Sequence, residues 1–408
     1  MNRPINALFL APVEPWSRES GSSLIIADLL EELQRHEGAT VRARFARRSP
    51  VAYGAGPPPS GSAVTLGIDL MPRAESILRA MLLMRSPMRL RFSTERLIDG
   101  IIGSLGDSST SLDVIHVEHL PLLDAGLALG KSLRVPVVFR SHNVEAVLLR
   151  RRLAVRGKVA DTVERVALRS EIAVVSQCAS VLCISEEDAE AYRRCSPSTA
   201  IEYFPCALSM DRYAPFLDTP VDSSPTIAFV GGLDWAPNAR GLRWFIENVM
   251  PLVLSRYPEV KLRVLARGAS ETAWLRGGSG VELVAHSQDP RRLFATSWLS
   301  VAPLLDGGGV RIKIPESLSV GCPVVATRIG GEGHALPGLE MSDDPVALAE
   351  LCVRIIQRGP RGTWRHGLHA AVSEVHGAKK QADRLVQIWR RIASASGNRG
   401  PWLGGDAT

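Results

Sequence analysis

Several familiar catalytic motifs are missing from this chain of 408 residues. It has no G-x-x-x-x-G-K-S/T P-loop, no G-x-G-x-x-G at the start of its first helical pattern and no G-x-S-x-G elbow. These absences argue against P-loop NTPases, dinucleotide dehydrogenases and hydrolases that use a nucleophile elbow. The chain also lacks any Asp-x-Asp pair, the usual carboxylate pair that holds Mg²⁺ against a nucleotide diphosphate. We therefore expect no metal site and no cofactor, with charge stabilised by side-chain cations and backbone amides.

Long apolar runs are absent as well. No stretch reaches the roughly 18 apolar residues that a membrane-spanning helix needs. The apolar run near the amino terminus is broken by Pro12 and Pro15, which predicts a buried first strand and not a signal peptide. We therefore expect a cytoplasmic protein. The six cysteines lie far apart and form no C-x-x-C pair, so we interpret them as small buried hydrophobic residues and not as metal ligands or disulfides.

The composition is that of an ordinary soluble globular protein. Hydrophobic residues make up 45% of the chain, charged residues 22% and aromatic residues only 5%, which excludes the disordered, fibrous and disulfide-rich classes. The formal net charge is +6, and 42 of the 48 basic residues are arginine. Biased codon usage is the simpler explanation of that arginine content. So mild a charge does not predict nucleic-acid binding, although an anionic ligand or an anionic membrane surface fits it.

Short apolar runs alternate with helical patterns along the chain, and the alternation restarts once. We predict strands at 5–12, 112–119, 135–143 and 179–185, and a second set at 226–233, 260–268, 280–286, 298–305 and 322–331. Helices are predicted at 23–36, 186–194 and 241–257. Apolar strands separated by helices are typical of a parallel sheet that is buried on both faces.

The segment 205–225 separates the two sets and is rich in Pro, Ser and Asp, which is typical of a linker. We therefore predict an α/β protein with two doubly wound, Rossmann-like domains, 1–205 and 206–377. A helix at about 378–396 is expected to pack back on the first domain. Such folds bind ligands at the carboxyl ends of their strands, so the two domains should face each other across a shared cleft.

The stretch LLDGGGVRIKIPE carries the densest set of candidate binding residues. Three glycines, Gly307 to Gly309, follow a strand and allow the backbone to approach a ligand closely. Arg311 and Lys313 come next, at the expected start of a helix, where cations and amide groups could neutralise a diphosphate. Glu316 lies in the first helical turns, where a carboxylate can accept two hydrogen bonds from a vicinal diol such as a ribose. The alternative is a solvated basic face beside an ordinary loop.

Weaker candidates stand at the ends of other predicted strands. Gly231 and Gly232 end the first strand of the second domain, and a Ser-Gly-Ser-Ser loop that contains Gly21 follows the first strand of the chain. Tight turns need glycine anyway, so neither pair is specific alone.

Polar residues also follow two strands of the first domain. His142 could hydrogen-bond a bound substrate, and Glu118 or His119 could face an acceptor. Spacing does not separate these roles from a capping or core role.

Four motifs occur together in one order: RSHNVE, VLCISEEDAEAYR, FVGGLDWAPNARGLRWF and GVRIKIPESLSVGCPVVATRIGGEG. In this combination the chain resembles the GT-B glycosyltransferases of the large retaining family that includes sucrose synthases and bacterial mannosyltransferases. The resemblance covers nearly the whole chain. It implies transfer of a sugar from a nucleotide-diphosphate sugar to an acceptor hydroxyl, with retention at the anomeric carbon and without a metal, in polysaccharide, glycoconjugate or natural-product biosynthesis.

The resemblance also implies roles for particular residues. The second domain would bind the donor, and the first domain a small-molecule, glycan or lipid-linked acceptor. Glu316 matches the family's ribose-binding Glu, and Gly21 matches the glycine loop near the diphosphate. His142 matches the strand-end His near the donor sugar and the reaction centre, which implies a catalytic role. The remaining donor-site residues would be Gly231, Gly232, Asn238, Gly307, Gly308 and Gly309.

Three departures from the family pattern concern the donor site. Gly308 stands where the family has the first Glu of its Glu-x7-Glu motif, which contacts the donor sugar. Gly232 replaces the expected Arg, and the Lys expected a few residues later is missing. A diphosphate still needs cations in a low-dielectric site, so we assign that role to Arg311 and Lys313.

These departures keep two alternatives open. One is another enzyme on the same scaffold: a sugar-nucleotide epimerase, a hydrolase or a pseudo-glycosyl coupling enzyme. The other is a non-catalytic GT-B protein that only binds a partner.

A basic amphipathic pattern occupies residues 75–92, with Leu and Met between four arginines, Arg79, Arg85, Arg89 and Arg91. Such a pattern suits a helix lying on an anionic membrane surface. We favour a helix that packs on the first sheet while its arginines reach water. Peripheral contact with the cell membrane stays open if the acceptor is lipid-linked.

Overall fold

The structure is a computed structural model that describes residues 3–12, 15–16, 18, 20–47, 63–67, 86–90, 94–105, 112–152, 157–267, 274–275, 280–284, 289–359 and 364–397. Its contacts divide the chain into a first unit, Met1–Ala207 with Ala378–Thr408, and a second unit, Leu208–Gly377. The division lies two residues beyond the boundary predicted at 205.

The first unit is built on a seven-stranded parallel sheet with the order β3-β2-β1-β4-β5-β6-β7. Its strands are β1 Ile5–Ala11, β2 Ala39–Arg47, β3 Ala63–Gly67, β4 Val114–Glu118, β5 Val137–Ser141, β6 Ser180–Cys183 and β7 Ile201–Tyr203. The four strands predicted here are β1, β4, β5 and β6. They are buried almost throughout, because crossover helices cover both faces of a parallel sheet.

The second unit repeats this plan with six parallel strands in the order β10-β9-β8-β11-β12-β13. Its strands are β8 Thr226–Gly232, β9 Lys261–Arg267, β10 Val281–Val284, β11 Leu299–Ala302, β12 Val324–Ala326 and β13 Leu339–Met341. The five predicted strands are all present, and β13 was not predicted.

Helices follow most strands, as a doubly wound fold requires. The described helices of the first unit are α1 Gly21–Arg35, α2 Thr94–Leu105, α3 Leu123–Leu133, α4 Glu145–Arg152, α5 Lys158–Val175 and α6 Glu186–Cys195. Those of the second unit are α7 Ala236–Asn248, α8 Met250–Leu254, α9 Pro290–Thr296, α10 Lys313–Ser319, α11 Pro345–Arg358 and α12 Trp364–His376. The final helix, α13 Ala378–Gly397, belongs to the first unit.

The direction of winding reverses once in each sheet. β1 pairs with both β2 and β4, and β8 pairs with both β9 and β11. The crossovers on either side of such a point run to opposite faces of the sheet, so the loops that leave the two central strands diverge and open a crevice. Ligand sites are therefore expected after β1 and β4 in the first unit, and after β8 and β11 in the second.

Helix α13 closes one face of the first sheet. Leu385 and Trp389 are buried together with Phe9 of β1 and Ile26 of α1. Trp389 is fully buried, and its ring packs edge-on against His116 with 5.6 Å between the ring centroids. The last helix of the chain is therefore part of the core of the first unit.

The helix predicted at 241–257 is two helices in the structure. α7 ends before Val249 and α8 begins after it. Pro251 has no N–H, and its ring would clash with the carbonyl of Glu247 in a continuous helix. The amphipathic pattern therefore continues across a break that the proline imposes.

Gly21 lies in helix α1, so the loop expected at Ser-Gly-Ser-Ser is wrong. Ser20 is the N-cap residue, and its hydroxyl accepts a hydrogen bond from the amide of Ser23. The hydroxyl of Ser23 in turn accepts from the amide of Ser20. This reciprocal capping satisfies amides at the helix start, so the serines form the first turn of α1.

The segment 205–225 is more ordered than a linker. It contains two 3-10 turns, Met210–Arg212 and Ala214–Phe216, with fully buried Tyr213 between them. The amide of Leu208 donates to the carbonyl of His376 at 2.7 Å. Residues 208–225 thus belong to the second unit, and the buried side chain of Tyr213 anchors them there.

The predicted helix over 75–92 lies mostly outside the described residues, together with Arg79, Arg85 and Arg91. Arg89 is described, and its buried guanidinium donates to the carboxylate of Asp124 and to the carbonyl of Ser170. Arg89 therefore neither reaches water nor faces a membrane, because its charge is compensated inside the unit. Among the described residues, no helix has the length and apolar character needed to cross a membrane.

The cysteines are all free thiols. Five are buried, but Cys195 at the end of α6 is exposed, which corrects the expectation that all six are buried. It is the last residue of that helix and follows Arg194, which is exposed as well.

We predict that Trp389→Ala lowers the free energy of unfolding by about 3–5 kcal/mol, because it leaves a cavity between α13 and β1. Gln387→Ala, on the exposed side of the same helix, should change it by less than about 0.5 kcal/mol. Urea unfolding followed by circular dichroism measures both. Equal losses in the two variants would contradict the docking of α13 through its buried face.

Candidate functional site

The crevice of the second unit holds a lysine site made of Gly231, Gly232, Asn238 and Lys313. β8 ends in the two glycines, and α7 brings Asn238 back over them. Lys313 is the first residue of α10, beyond the loop that leaves β11. Neighbouring parallel strands deliver all four residues to one sheet edge, although Asn238 and Lys313 are 75 positions apart.

Lys313 is held over the end of β8. Its Nζ donates to Asn238 Oδ1 at 3.1 Å and lies 4.9 Å from the ring centroid of Phe229. A Cβ built on Gly231 would stand 3.1 Å from Nζ, so a side chain there would crowd the ammonium. Burial and the nearby charge of Arg311 lower the pKa of Lys313 to about 7, although Glu316 acts in the opposite direction.

Arg311 shapes the glycine loop that precedes α10. Its Nη1 donates to the carbonyls of Gly308 and Gly309 at 2.5 and 2.8 Å. The guanidinium carbon also lies 5.6 Å from the ring centroid of Trp235. Gly307 has a φ of +112°, and a Cβ there would lie 3.1 Å from Arg311 Nη2, so this turn requires glycine. Arg311, which the sequence predicts to bind the diphosphate, therefore also holds the glycine loop in place.

Two further contacts fix this region. Glu316 Oε1 accepts a hydrogen bond from the hydroxyl of Tyr213 at 3.1 Å, which orients the carboxylate on α10. His334 Nε2 lies 3.0 Å from the carbonyl of Arg311 and donates to it, since a carbonyl oxygen can only accept. Burial lowers the pKa of His334 to about 3, so this imidazole is neutral at physiological pH.

The crevice of the first unit holds a histidine cluster made of His116, Glu118, His119, Arg140 and His142. Glu118, at the end of β4, is fully buried and contacts three of the others. Its carboxylate lies 3.1 Å from His116 Nε2, 3.1 Å from Arg140 Nη1 and 2.5 Å from His142 Nε2. Glu118, His119 and His142 were separate candidates in the sequence, and the structure brings them together.

The charge of Glu118 is compensated within the cluster. Burial by itself would raise the pKa of this carboxyl, but the Arg140 charge and the hydrogen bonds from His116 and His142 hold the pKa well below its usual range. Burial lowers the pKa of His142 as well. Glu118 is therefore ionised at neutral pH and orients His142 through Nε2.

His119 completes the cluster on the side of α1. Its ring stacks on that of His142 with centroids 3.7 Å apart, and its Nε2 lies 2.6 Å from the hydroxyl of Ser22. Its backbone has a φ of +67°, which is strained for a residue with a Cβ. Burial and His142 hold the pKa of His119 well below its usual range. The first turn of α1 therefore contributes Ser22, and not Gly21, to the cluster.

Glu171 of α5 fixes the segment that follows His142. Its carboxylate accepts hydrogen bonds from the amides of Glu145 and Ala146, at the start of α4, and from the hydroxyl of Tyr192. Burial raises the pKa of Glu171 to about 7. The start of α4 is thereby tied down three residues beyond His142, so the histidine leaves β5 in a defined direction.

Several contributors were not predicted from the sequence. They are Ser22, His116, Arg140, Glu171, Tyr192, Tyr213, Phe229, Trp235 and His334. Two of them could have been recognised from the sequence pattern. His116 and Arg140 are polar residues inside apolar strands, and because a buried charge needs a partner, their positions indicate a buried polar cluster. No comparable signal marks Tyr213, which lies in an aperiodic segment.

The second unit can also be compared with known families. Residues 224–358 match the family model described as Glycosyl transferases group 1. The resemblance to group 1 glycosyltransferases is confirmed. The matched segment contains the whole lysine site, the glycine loop and Glu316, so these candidate residues all lie in the part of the chain that is similar to group 1 glycosyltransferases.

Solved structures with a similar fold cover almost the whole chain. Sucrose-phosphate synthase from Thermosynechococcus elongatus is 17% identical over 96% of this chain and 100% of its own, with a TM-score of 0.66. Anabaena HepE in complex with UDP-glucose is 14% identical over 95% of this chain and 100% of its own, with a TM-score of 0.61. The alpha,alpha-trehalose-phosphate synthase from Burkholderia vietnamiensis is 13% identical over 98% of this chain and 99% of its own, with a TM-score of 0.64. These likenesses confirm the predicted GT-B fold.

A curated relative matches over a shorter stretch. An uncharacterized 44.6 kDa protein in the cps region of Klebsiella pneumoniae is 28% identical over 116 residues. The match covers 26% of this chain and 30% of the relative, so it spans less than a third of that protein's length.

We predict that Glu118→Ala lowers the free energy of unfolding by about 3–5 kcal/mol, because it leaves the buried charge of Arg140 without its carboxylate. Glu186→Ala breaks an exposed ion pair with Arg193 and should cost less than about 1 kcal/mol. Urea unfolding at pH 7 measures both changes. A loss at Glu118 no larger than that at Glu186 would show that the cluster does not depend on this carboxylate.

Proposed function

We propose that this protein transfers a sugar from a nucleotide-diphosphate sugar to an acceptor hydroxyl, with retention of the anomeric configuration and without a metal ion. The observation that carries the proposal is the lysine site at the crevice of a group 1 glycosyltransferase domain. Lys313 there is a cation whose nearest hydrogen-bond partner is a neutral amide. Such a group suits a diphosphate, whose negative charge grows as the sugar departs.

The donor contacts follow from the same crevice. Lys313, with Arg311 behind the glycine loop, would stabilise the diphosphate, while Glu316 would accept hydrogen bonds from the ribose diol in the orientation that Tyr213 imposes. The Anabaena HepE structures contain UDP-glucose and UDP, which makes a UDP-sugar the first donor to test. Gly308 offers no side chain to the donor sugar, so sugar selection would rest on other groups.

The acceptor contacts would come from the first unit. His142 and His119 are neutral imidazoles at the crevice of that unit, and a neutral imidazole can exchange hydrogen bonds with a hydroxyl. The acceptor is a small molecule, a glycan or a lipid-linked sugar. The Klebsiella relative lies in a cps region, which supports a place in polysaccharide or glycoconjugate biosynthesis.

The chemical step requires no protein nucleophile. The bond between the anomeric carbon and the diphosphate oxygen breaks, and a bond from the same carbon to the acceptor oxygen forms on the same face. The acceptor proton passes to the departing diphosphate oxygen. Lys313 and the oriented groups of the crevice favour this step because they stabilise charge that develops only in the transition state.

A donor screen tests the proposed reaction. Purified protein is incubated with UDP-, GDP- and ADP-sugars and an acceptor panel in the presence of EDTA, and products are identified by mass and by the anomeric coupling in NMR. We expect a glycoside with the donor's anomeric configuration and an unchanged rate after chelation. An inverted linkage or dependence on added metal would contradict the mechanism. A C2-inverted sugar or free sugar formed without acceptor would identify the epimerase or hydrolase alternative.

We predict that Arg311→Ala raises the donor KM or lowers kcat at least about tenfold, because a charge-assisted contact is worth about 1.5–3 kcal/mol. Lys313→Met should lower kcat/KM by at least the same factor. Arg240→Ala is the matched control, since Arg240 is an exposed neighbour that pairs with Asp306. Steady-state rates of the three variants check the assignment, and wild-type values for Arg311→Ala and Lys313→Met would remove both cations from the mechanism.

A further inference from the structure

Asn238 links Lys313 to the end of β8. Its Oδ1 accepts a hydrogen bond from Lys313 Nζ at 3.1 Å, and its Nδ2 donates to the carbonyl of Gly232 at 2.9 Å. The residue is buried, with 6% of its surface exposed. Both polar atoms of the amide thus have a protein partner, which argues for a role in holding Lys313 and against the direct donor contact expected from the sequence.

The amide character of this partner has an electrostatic consequence. A carboxylate at position 238 would form an ion pair with Lys313 and cancel its charge, whereas an amide orients the ammonium without compensating it. The charged groups that act on Lys313 are Arg311 and Glu316, which have opposite signs. The nearby ionic groups beside Gly232 are Asp234 and Arg267, which pair with each other at 3.7 Å.

The surroundings of Lys313 leave little freedom for another arrangement. The ring of Phe229 lies 4.9 Å from Nζ, and Gly231 provides the space that a side chain would fill. Without the bond to Asn238, the flexible lysine side chain would lose the one hydrogen-bond acceptor described for its Nζ and would sample other rotamers. The position of the positive charge therefore depends on a neutral side chain.

We propose that Asn238 is a positioning residue that holds the Lys313 ammonium at the end of β8 for the diphosphate of the donor, and that its neutrality keeps this charge available to the ligand. This inference rests on the proposed function, because it takes a nucleoside diphosphate as the ligand. It adds a requirement that the proposed function does not contain: an acid at position 238 impairs the site even though it is the same size as asparagine.

The arrangement couples donor binding to a proton. The pKa of Lys313 is lowered to about 7, so most of the free protein carries a neutral amine at pH 8. A diphosphate next to Nζ favours the ammonium and raises this pKa, so binding at pH 8 takes up nearly one proton. Affinity should accordingly fall as the pH rises above about 7, since the amine must be protonated before it can hold the anion.

Isothermal titration calorimetry of the full chain tests this coupling. UDP, GDP and ADP are titrated at pH 6.5 and pH 8, and the nucleotide that binds wild type most tightly is the probe. Buffers of different ionisation enthalpy at pH 8 give the number of protons taken up, at a pH where the nucleotide phosphates are themselves fully ionised. We expect uptake of nearly one proton by wild type and none by Lys313→Arg, because arginine stays charged at both pH values.

Three variants of helix α7 separate positioning from support of the fold. Asn238→Ala should weaken binding at pH 6.5 about tenfold, which corresponds to the loss of a charge-assisted hydrogen bond. Asn238→Asp should also weaken binding and should abolish proton uptake at pH 8, because its carboxylate keeps Lys313 protonated. Asn248→Ala is the matched control, since this exposed asparagine on the same helix only donates to the carbonyl of Trp244. Circular dichroism and the Tm verify that each variant is folded.

Different results would overturn the positioning role of Asn238 and the proposed donor site. Wild-type affinity in Asn238→Ala, or wild-type proton uptake in Asn238→Asp, overturns the positioning role while the proposed function stands. Binding of none of the three nucleotides to wild type, or wild-type affinity in Lys313→Met, overturns the proposed donor site and the positioning role with it.

Discussion

Parallel strands place all their carboxyl ends at one edge of a sheet, and each sheet of this protein reverses its winding at one pair of neighbouring strands. The reversal separates the loops on either side and leaves backbone and side chains at that point accessible to a ligand. In the first unit the pair is β1 and β4, which are followed by Ser22 and His119. In the second unit the pair is β8 and β11, which are followed by Gly232 and the glycine loop. Both candidate sites thus arise from the same topological property.

The two sites treat buried charge in opposite ways. Glu118 accepts hydrogen bonds from two histidines and an arginine. Its negative charge therefore orients those side chains and is not available to a ligand. Lys313 is held by a neutral amide, so its positive charge remains available to an anionic ligand. Burial disfavours both charges, but Glu118 is held in its ionised form by its partners, whereas Lys313 has a lowered pKa and can release its proton. The first arrangement favours rigidity, and the second favours response to an anion.

The sequence predicted the elements whose patterns are continuous. β1, β4, β5, β6 and β8 are apolar runs with clear ends, and the glycines and cations after β11 stand together in the chain. β2 was not predicted because its arginines interrupt the apolar run. β7 and β13 were not predicted because they are only three residues long, which is too short for a periodic pattern. The break at Pro251 was missed because the apolar period continues across it.

Contacts between residues that are far apart in the chain could not be predicted from the sequence. Arg311 and Lys313 were recognised as cations, but their partners, the carbonyls of the glycine loop and Asn238, are defined by the fold. Similarly, His119 and His142 were proposed from their places at strand ends, whereas their stacking depends on β4 and β5 being neighbours. Residue types and strand order could be inferred from the sequence, but pairings of side chains could not.

Helix α13 also has a consequence for the order of events during synthesis. Along the sequence, the second unit is one continuous segment between the two parts of the first, so it can fold as soon as it has emerged. The first unit has to wait for Trp389, which at ordinary translation rates means roughly 10–40 seconds between the synthesis of the end of β7 and that of Trp389. During that interval Phe9 and Ile26 lack the packing contacts that α13 later provides. The part of the protein that is made first therefore matures last.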